Sequence, residues 1–198
     1  MTDDASLAAL PVGDDIAIYR EDDGVGFGRI REPEVRRIAE YWAGLRNGRA
    51  MPRMKDIDPL DIPWALGGFY MGDYDAETGR FAYRIAGDNI TQMFERQTKR
   101  PTMKGADFSA MFPKPSAEMV RRRWRPLGER GAIVLMTGLI YLAAERLPVG
   151  ERIILPLSED GERVTGFMGY TKVRFETPEE SSDSPGLDIW YIPHQSIA

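Results

Sequence analysis

The chain has 198 residues, of which 42% are hydrophobic and 29% charged, with a net charge of −5. This composition is that of an ordinary globular domain and excludes a collagen-like or globally disordered chain. The acidic balance also gives no reason to expect nucleic-acid binding, because that affinity rests on neutralising phosphates. Cysteine is absent and His194 is the single histidine, which excludes disulfides, thiol nucleophiles and histidine-rich or thiolate metal sites.

The N-terminus does not resemble a signal peptide, since Met1-Thr2-Asp3-Asp4 is acidic and no basic region precedes an apolar run. The longest apolar stretches, such as residues 132–142, reach about half the length needed to span a bilayer. We therefore expect a cytoplasmic protein with no membrane span.

Changes in composition divide the chain into four parts. Residues 1–31 mix acidic and small side chains, which predicts a flexible N-terminal arm. Residues 32–54 form a flanking helical segment, and residues 55–176 form the main domain. Residues 177–198 begin with a polar linker, TPEESSDSPG, and continue into an apolar C-terminal tail, LDIWYIP.

The first strong helix is predicted over residues 33–47, with Pro33 in its first turn and Gly48 just past its end. Its apolar residues are spaced three, four and three apart, which makes one narrow stripe: Val35, Ile38, Trp42 and Leu45. Such a stripe packs on a sheet or on a second copy of itself. We expect it to serve as the dimer or partner interface.

The middle of the chain predicts a β-hairpin followed by helices. Residues 66–74 and 80–86 flank a five-residue connection that ends in Gly79, as a hairpin turn requires. Short helical segments follow around residues 89–97 and 108–112. A longer helix is predicted over residues 116–125, with Pro126 close to its end.

The last third predicts three strands, over residues 132–142, 152–157 and 164–175. The first of them is apolar on both of its alternating faces, whereas a strand with one solvent-exposed face would carry polar residues on that face. A second layer must therefore cover the other face of the sheet. The helical stripe of residues 33–47 is the best candidate for that layer. The predicted fold is α+β, with a five-stranded antiparallel sheet, short helices on one face and the N-terminal helix outside.

Two polar clusters have competing interpretations. Asp56, Asp58 and Asp61 have the oxygen ligands of a hard-cation site, but they are better explained as caps of a helical turn, with Pro59 at its start. The basic run of residues 121–125 is either a patch for an acidic protein partner, RNA or a lipid head group, of which the protein partner is the best, or the solvated face of the long helix. We favour the solvated face. We assign no catalytic residue and no metal ligand.

Several segments of the sequence resemble a group of stand-alone PAS proteins found in alphaproteobacteria. They are YWAGLRNGRAMPRMKDIDPLDIP (41–63), RFAYRIAGDNITQMF (80–94), ADFSAMFP (106–113) and ILPLSEDGERVTGFMG (154–169). The resemblance covers roughly residues 34–173. It implies a PAS fold and a sensory or interaction domain, with a small-molecule cavity between sheet and helices.

The apolar side chains of this region either fill the core or line such a cavity. We expect a ligand pocket formed by Tyr83, Met93, Phe94, Phe108, Met111, Met119, Trp124, Met136, Thr137, Leu155 and Phe167. Tyr83 and Thr137 are its expected polar contacts, because buried hydroxyls need partners. The identity of the ligand stays open. We expect neither haem nor a thiol–flavin adduct, since residues 116–125 hold no histidine and the chain holds no cysteine.

The leading hypothesis is a non-catalytic sensory or adaptor protein that binds a small molecule, a signalling protein partner or both, and that forms a homodimer. One alternative is an isomerase or hydratase on a cone-shaped α+β fold, which needs an acid or base facing the pocket. The other is a structural module with a filled core and no ligand.

Overall fold

A computed structural model of the protein describes residues 10–98, 102–142, 147–176 and 186–197. The helices in these ranges are α1 (Pro33–Leu45), α2 (Asp88–Thr98), α3 (Phe108–Met111) and α4 (Lys114–Arg130). The strands are β1 (Leu10–Pro11), β2 (Ala17–Glu21), β3 (Phe69–Asp75), β4 (Arg80–Ala86), β5 (Ala132–Leu139), β6 (Tyr141–Leu142), β7 (Leu147–Leu157), β8 (Gly166–Glu176) and β9 (Leu187–Pro193).

The main sheet of the described chain has seven strands in the order β2-β9-β5-β7-β8-β3-β4. The five from β5 to β4 pair antiparallel, as the sequence predicted. The prediction of five strands in total is wrong, because β9 pairs antiparallel with β5 and β2 pairs parallel with β9. The apolar tail thus supplies the backbone partners that the edge of β5 would otherwise lack, and β2 makes the sheet mixed.

Helix α4 is longer than predicted, since it continues through Pro126 to Arg130. Its end is set by Gly131, whose φ of +66° lies in the left-handed region that favours glycine. The amide of Gly131 donates to the carbonyl of Leu127 at 3.0 Å. The proline therefore does not end this helix, because the left-handed glycine five residues later does.

Helix α1 covers the outer face of the sheet, as its apolar stripe indicated. It contacts β7 and β8, and Val35, Ile38 and Trp42 are completely buried. The indole Nε1 of Trp42 donates to the carbonyl of Pro156 in β7 at 2.8 Å. The side chain of Glu34 forms an ion pair with Lys172 of β8 at 2.7 Å.

The start of α1 is capped from far along the chain. The carboxylate of Glu151, in β7, accepts hydrogen bonds from the amides of Arg31 and Glu32, the latter at 2.8 Å. Glu151 is only 2% exposed, so these bonds compensate for burying its charge. The two amides belong to the residues directly before Pro33, so the carboxylate fixes the point at which the chain enters α1.

The inner face of the sheet packs against α3 and α4 through a cluster of aromatic rings. Trp124 of α4 lies at its centre, 4.8 Å from Phe108, 5.3 Å from Phe167 and 5.4 Å from Phe81 between ring centroids, with edge-to-face geometry. Tyr70 of β3 stacks on the same indole at 6.3 Å. This cluster fixes α4 against the sheet and forms the floor of the site described next.

Candidate functional site

A small cavity of about 20 Å³ lies between the inner face of the sheet and the helices. A volume of this size holds about one water molecule. The walls come from helices α2, α3 and α4 and from strands β4, β5, β6, β7 and β9. Its lining residues are Tyr83, Phe94, Phe108, Met111, Phe112, Val120, Arg123, Trp124, Met136, Ile140, Tyr141, Arg152 and Leu187.

Two of the lining side chains hold polar atoms without partners. The indole Nε1 of Trp124 and the hydroxyl of Tyr141 are fully buried and make no hydrogen bond within the described chain. Trp124 is 1% exposed and Tyr141 2%. A buried donor without a partner costs about 1–3 kcal/mol, so each marks a position where a bound molecule would stabilise the protein.

Arg152 of β7 brings a positive charge to the cavity wall. Its Nε donates to the hydroxyl of Thr171 at 3.0 Å, and its guanidinium lies 4.6 Å from the ring centroid of Tyr141. Among the described residues it forms no ion pair with a carboxylate. The neighbouring acid, Glu151, points to the opposite face, because side chains alternate along a strand.

A second arginine, Arg123 of α4, links the cavity to the N-terminal segment. Arg123 is 3% exposed and pairs with Asp14 at 2.7 Å, while its Nε donates to the hydroxyl of Tyr19 in β2 at 3.1 Å. Burial by itself raises the pKa of Asp14, but hydrogen bonds from Tyr19 and Arg123 outweigh it and hold the pKa below its ordinary value. The ion pair therefore persists at neutral pH.

The C-terminal strand β9 reaches the same place. Leu187 lines the cavity, and the hydroxyl of Tyr191 donates to the main-chain carbonyl of Arg123 at 3.2 Å. Both ends of the described chain thus contact α4 at the cavity.

Tyr83 of β4 adds a neutral hydroxyl to the lining. Burial, followed by the nearby Tyr70, raises the pKa of Tyr83 far above its ordinary value, so the hydroxyl keeps its proton and remains a donor. The polar side chains of the described lining are therefore two arginines, two tyrosines and a tryptophan, with no Asp, Glu or His among them. A cavity with this lining suits a molecule that brings acceptors.

The structure brings together part of the predicted pocket: Tyr83, Phe94, Phe108, Met111, Trp124 and Met136 line the cavity. Phe167 is buried in the aromatic cluster below it, and Met93 and Met119 are half-buried outside the lining. Leu155 and Thr137 do not line it, because each alternates to the outer face of its strand, where Thr137 lies 3.5 Å from Glu151.

The prediction missed Phe112, Val120, Arg123, Ile140, Tyr141, Arg152 and Leu187. For Arg152 the sequence did hold a signal. Every second residue of β7 faces the inner side of the sheet, and Arg152 is the charged residue in that otherwise apolar set. No local signal pointed to Leu187, whose place depends on β9 pairing with β5.

The stripe of α1 is already occupied within one chain. Val35, Ile38 and Trp42 are buried against the sheet, and Leu45 is half-buried on the same core. Its role as a dimer interface stays a prediction, and such a dimer would need α1 to leave part of the sheet.

The interpretation as caps is confirmed for Asp58 and for Asp56, whose carboxylate accepts from the amide of Arg53 at 3.1 Å. The carboxylate of Asp58 accepts from the amide of Leu60 at 2.9 Å, Asp56 pairs with Arg49, and Asp61 accepts from Tyr41 at 3.3 Å. No group of three metal-ligating side chains occurs within the described ranges.

The basic run of α4 is only partly the solvated face that we expected. Arg122 is exposed but pairs with Asp14, and Arg125 pairs with Glu129 at 3.6 Å on the surface. Arg123 is instead buried at the cavity.

Comparison with known families finds a match over the region that holds most of these five antiparallel strands and the helices on their inner face. A family model described as PAS domain matches residues 30–171. The chain belongs to the PAS-domain family. The cavity of this PAS protein thus lies where the resemblance placed it, between sheet and helices. No curated protein matches the chain.

Two solved structures are distantly similar to this PAS protein. One is of VqmA bound to DPO, with 14% identity over 61% of this chain and a TM-score of 0.37. The other, of the Vibrio cholerae VqmA dimer in the absence of target DNA, has 13% identity over 63% of this chain and a TM-score of 0.37. The aligned regions span only 57% and 55% of those chains. Likeness at this level carries no argument about ligand or partner.

Among the helices that the structure describes, none has the length and apolar character needed to cross a membrane.

Proposed function

We propose that this PAS protein is a non-catalytic sensory or adaptor protein of the cytoplasm. It binds a small molecule in the cavity and passes the bound state to a protein partner or a second copy of itself. The observation that carries the proposal is that two residues of the cavity lining, Trp124 and Tyr141, each hold a buried polar group without a partner in the described chain.

Ligand binding is favoured because burying these donors without an acceptor costs free energy. Each unpaired donor destabilises the protein by about 1–3 kcal/mol, and a ligand that accepts from both recovers much of that cost. The cavity of about 20 Å³ is smaller than most metabolites, so a larger ligand binds a more open arrangement of the same walls. Its affinity for that arrangement shifts the population toward it.

The bound state reaches the ends of the chain through α4. Arg123 lines the cavity while holding Asp14 and Tyr19 of the N-terminal segment, and its carbonyl holds Tyr191 of β9. A shift of α4 that admits a ligand therefore changes these contacts at the edge of the sheet. Differential contacts of this kind are what a population shift requires.

The non-catalytic part of the proposal is supported by where the buried acid lies. An isomerase or hydratase needs an acid or base facing its substrate. Glu151 is the buried carboxylate nearest the cavity in sequence, but it lies on the outer face and caps α1. Within the described lining no carboxylate or imidazole takes its place.

Native mass spectrometry of the purified full-length protein tests ligand binding. We expect an added mass that survives gentle desolvation and that is lost in Val120→Phe, which fills the cavity from α4. Ile85→Phe, at a position 44% exposed on β4, is the matched control and should keep the mass. Circular dichroism checks folding, since overpacking costs about 1–3 kcal/mol, and Ile140→Phe provides a second filling variant.

The result that contradicts the proposal is a bare protein that also shows no thermal shift with any compound of a diverse metabolite library. A mass that all three variants retain equally would place binding outside the cavity.

Homodimer formation is tested separately by multi-angle light scattering. A dimer in the full chain that becomes a monomer in Leu45→Arg supports the α1 stripe as the interface. A wild-type monomer at micromolar concentration removes the homodimer from the proposal and leaves the partner protein.

A further inference from the structure

We propose that the ligand is a small carboxylic acid with an apolar body, whose carboxylate is held by Arg152 together with the Trp124 indole and the Tyr141 hydroxyl. This inference rests on the proposed function and adds the chemical class of the ligand.

The charge of the ligand follows from Arg152. Arg152 is half-buried, and the part of its charge that is withdrawn from water is costly unless an anion or several acceptors compensate. Within the described chain Arg152 has one hydrogen bond to Thr171 and the ring of Tyr141. Two-point binding of a carboxylate by a guanidinium fork would supply the missing compensation.

The remaining polar groups favour the same head group. Indole N–H is a donor only, and the Tyr83 hydroxyl stays protonated because burial raises its pKa. Arg123, the other lining cation, is already paired with Asp14. A ligand with an ammonium group would meet cations and donors here, and no carboxylate of the described lining would receive it.

The body of the ligand follows from the rest of the lining, which is aromatic, aliphatic and thioether. Phe94 meets Tyr141 edge to face at 5.4 Å and Phe112 at 5.5 Å. Met111 and Met136 add flexible thioethers, which repack readily around a guest. These walls favour an apolar group of few atoms over a sugar or a polyol, whose hydroxyls would find few partners.

The experiment uses the full-length protein and matched sets of probes that differ in the head group alone. These sets are acetate, isobutyrate, benzoate and phenylacetate, each with its primary amide and its amine. Binding is measured by calorimetry and thermal shift at fixed ionic strength. We expect at least one acid to bind tenfold or more tightly than its amide, and its amine to show no binding.

Variants at Arg152 assign the preference to the cavity. Arg152→Gln should remove the difference between acid and amide, and Arg152→Lys should keep part of it, because charge survives without the fork. Arg163→Gln is the matched control, since Arg163 is 83% exposed on the loop before β8, and it should bind as the wild type does. Circular dichroism of each variant confirms that it folds.

Three results would overturn the inference. They are an amide or amine that binds as well as its acid, an acid preference that persists in Arg152→Gln, and a retained molecule with no acidic group. In each of these cases a ligand still binds, so the proposed function survives. The absence of any retained mass and of any binding would remove both.

Discussion

The two fully buried tryptophans differ in one respect, and that difference gives a sharp prediction for stability. Trp42 is completely buried and Trp124 is 1% exposed. The indole of Trp42 donates to Pro156 at 2.8 Å, whereas the indole of Trp124 has no partner in the described chain. Trp→Phe removes the N–H and the same ring volume at both sites, so the packing losses are similar.

The magnitudes then separate the two variants. Trp42→Phe breaks a hydrogen bond and leaves the buried carbonyl of Pro156 unpaired, which costs about 1–3 kcal/mol beyond packing. Trp124→Phe removes an unpaired donor and so recovers a similar amount, which offsets its packing loss. We expect Trp42→Phe to unfold more easily than Trp124→Phe by about 2–6 kcal/mol.

The assay is urea denaturation, monitored by far-ultraviolet circular dichroism, of protein shown by mass spectrometry to carry no bound molecule. Equal m-values are required for a direct comparison of the unfolding free energies. Equal destabilisation by the two substitutions would refute the reasoning, because it would mean that the Trp124 indole is satisfied in the ligand-free protein. Addition of an acid that binds should stabilise the wild type and not Trp124→Phe.

Three further substitutions test the structure elsewhere. Burial lowers the pKa of His194 below 6.5, and the hydrogen bond to the Gly131 carbonyl opposes this shift. The contribution of His194 to stability is therefore fully present above pH 6.5 and is lost as the pH falls toward the pKa of the folded state. The melting temperature of His194→Asn should depend less on pH than that of the wild type between about pH 7.5 and 5.5, and an equal dependence would contradict this. Gly131→Ala should lower the unfolding free energy by at least about 1 kcal/mol, because φ is +66° and a Cβ would lie 2.7 Å from His194 Nδ1; a neutral effect in urea denaturation would show that the left-handed cap is dispensable. Glu151→Gln should cost about 2 kcal/mol in the same assay through loss of charge-assisted bonds to the amides of Arg31 and Glu32, and wild-type stability would argue against the cap.

Much of the fold was predictable because it depends on local pattern. The spacing of Val35, Ile38 and Trp42 identified α1 and its buried side, since an α-helix repeats every 3.6 residues. The hairpin of β3 and β4 was predictable because its strands are adjacent and its turn ends in Gly79, with a φ of +65°. The two-faced apolar pattern of residues 132–142 correctly required a layer on each side of the sheet.

The candidate site was predictable in its apolar part and in the hydroxyl of Tyr83. Phe108 and Trp124 were placed at the cavity because large apolar residues of the middle helices must face the sheet, and Met136 because residues 132–142 are apolar on both faces of their strand. The polar part was largely missed. Arg123 belongs to the basic run that we favoured as a solvated face, and the side of the sheet on which Tyr141 and Arg152 lie depends on how β6 and β7 pair with distant strands. Strand β7 also begins five residues before the strand predicted over residues 152–157.

The sequence by itself therefore determined the type of domain, the order of its central elements and the outer layer formed by α1, because each follows from periodicity and turn residues within a short window. The tertiary structure decided the seven-stranded sheet, the cap from Glu151 to α1 and the meeting of Trp124, Tyr141 and Arg152 at one cavity. The physical reason is that these features are pairings between distant segments. Backbone groups at the edge of β5 and the buried charge of Glu151 are satisfied by residues far away in the chain, and no local pattern records which distant segment will satisfy them.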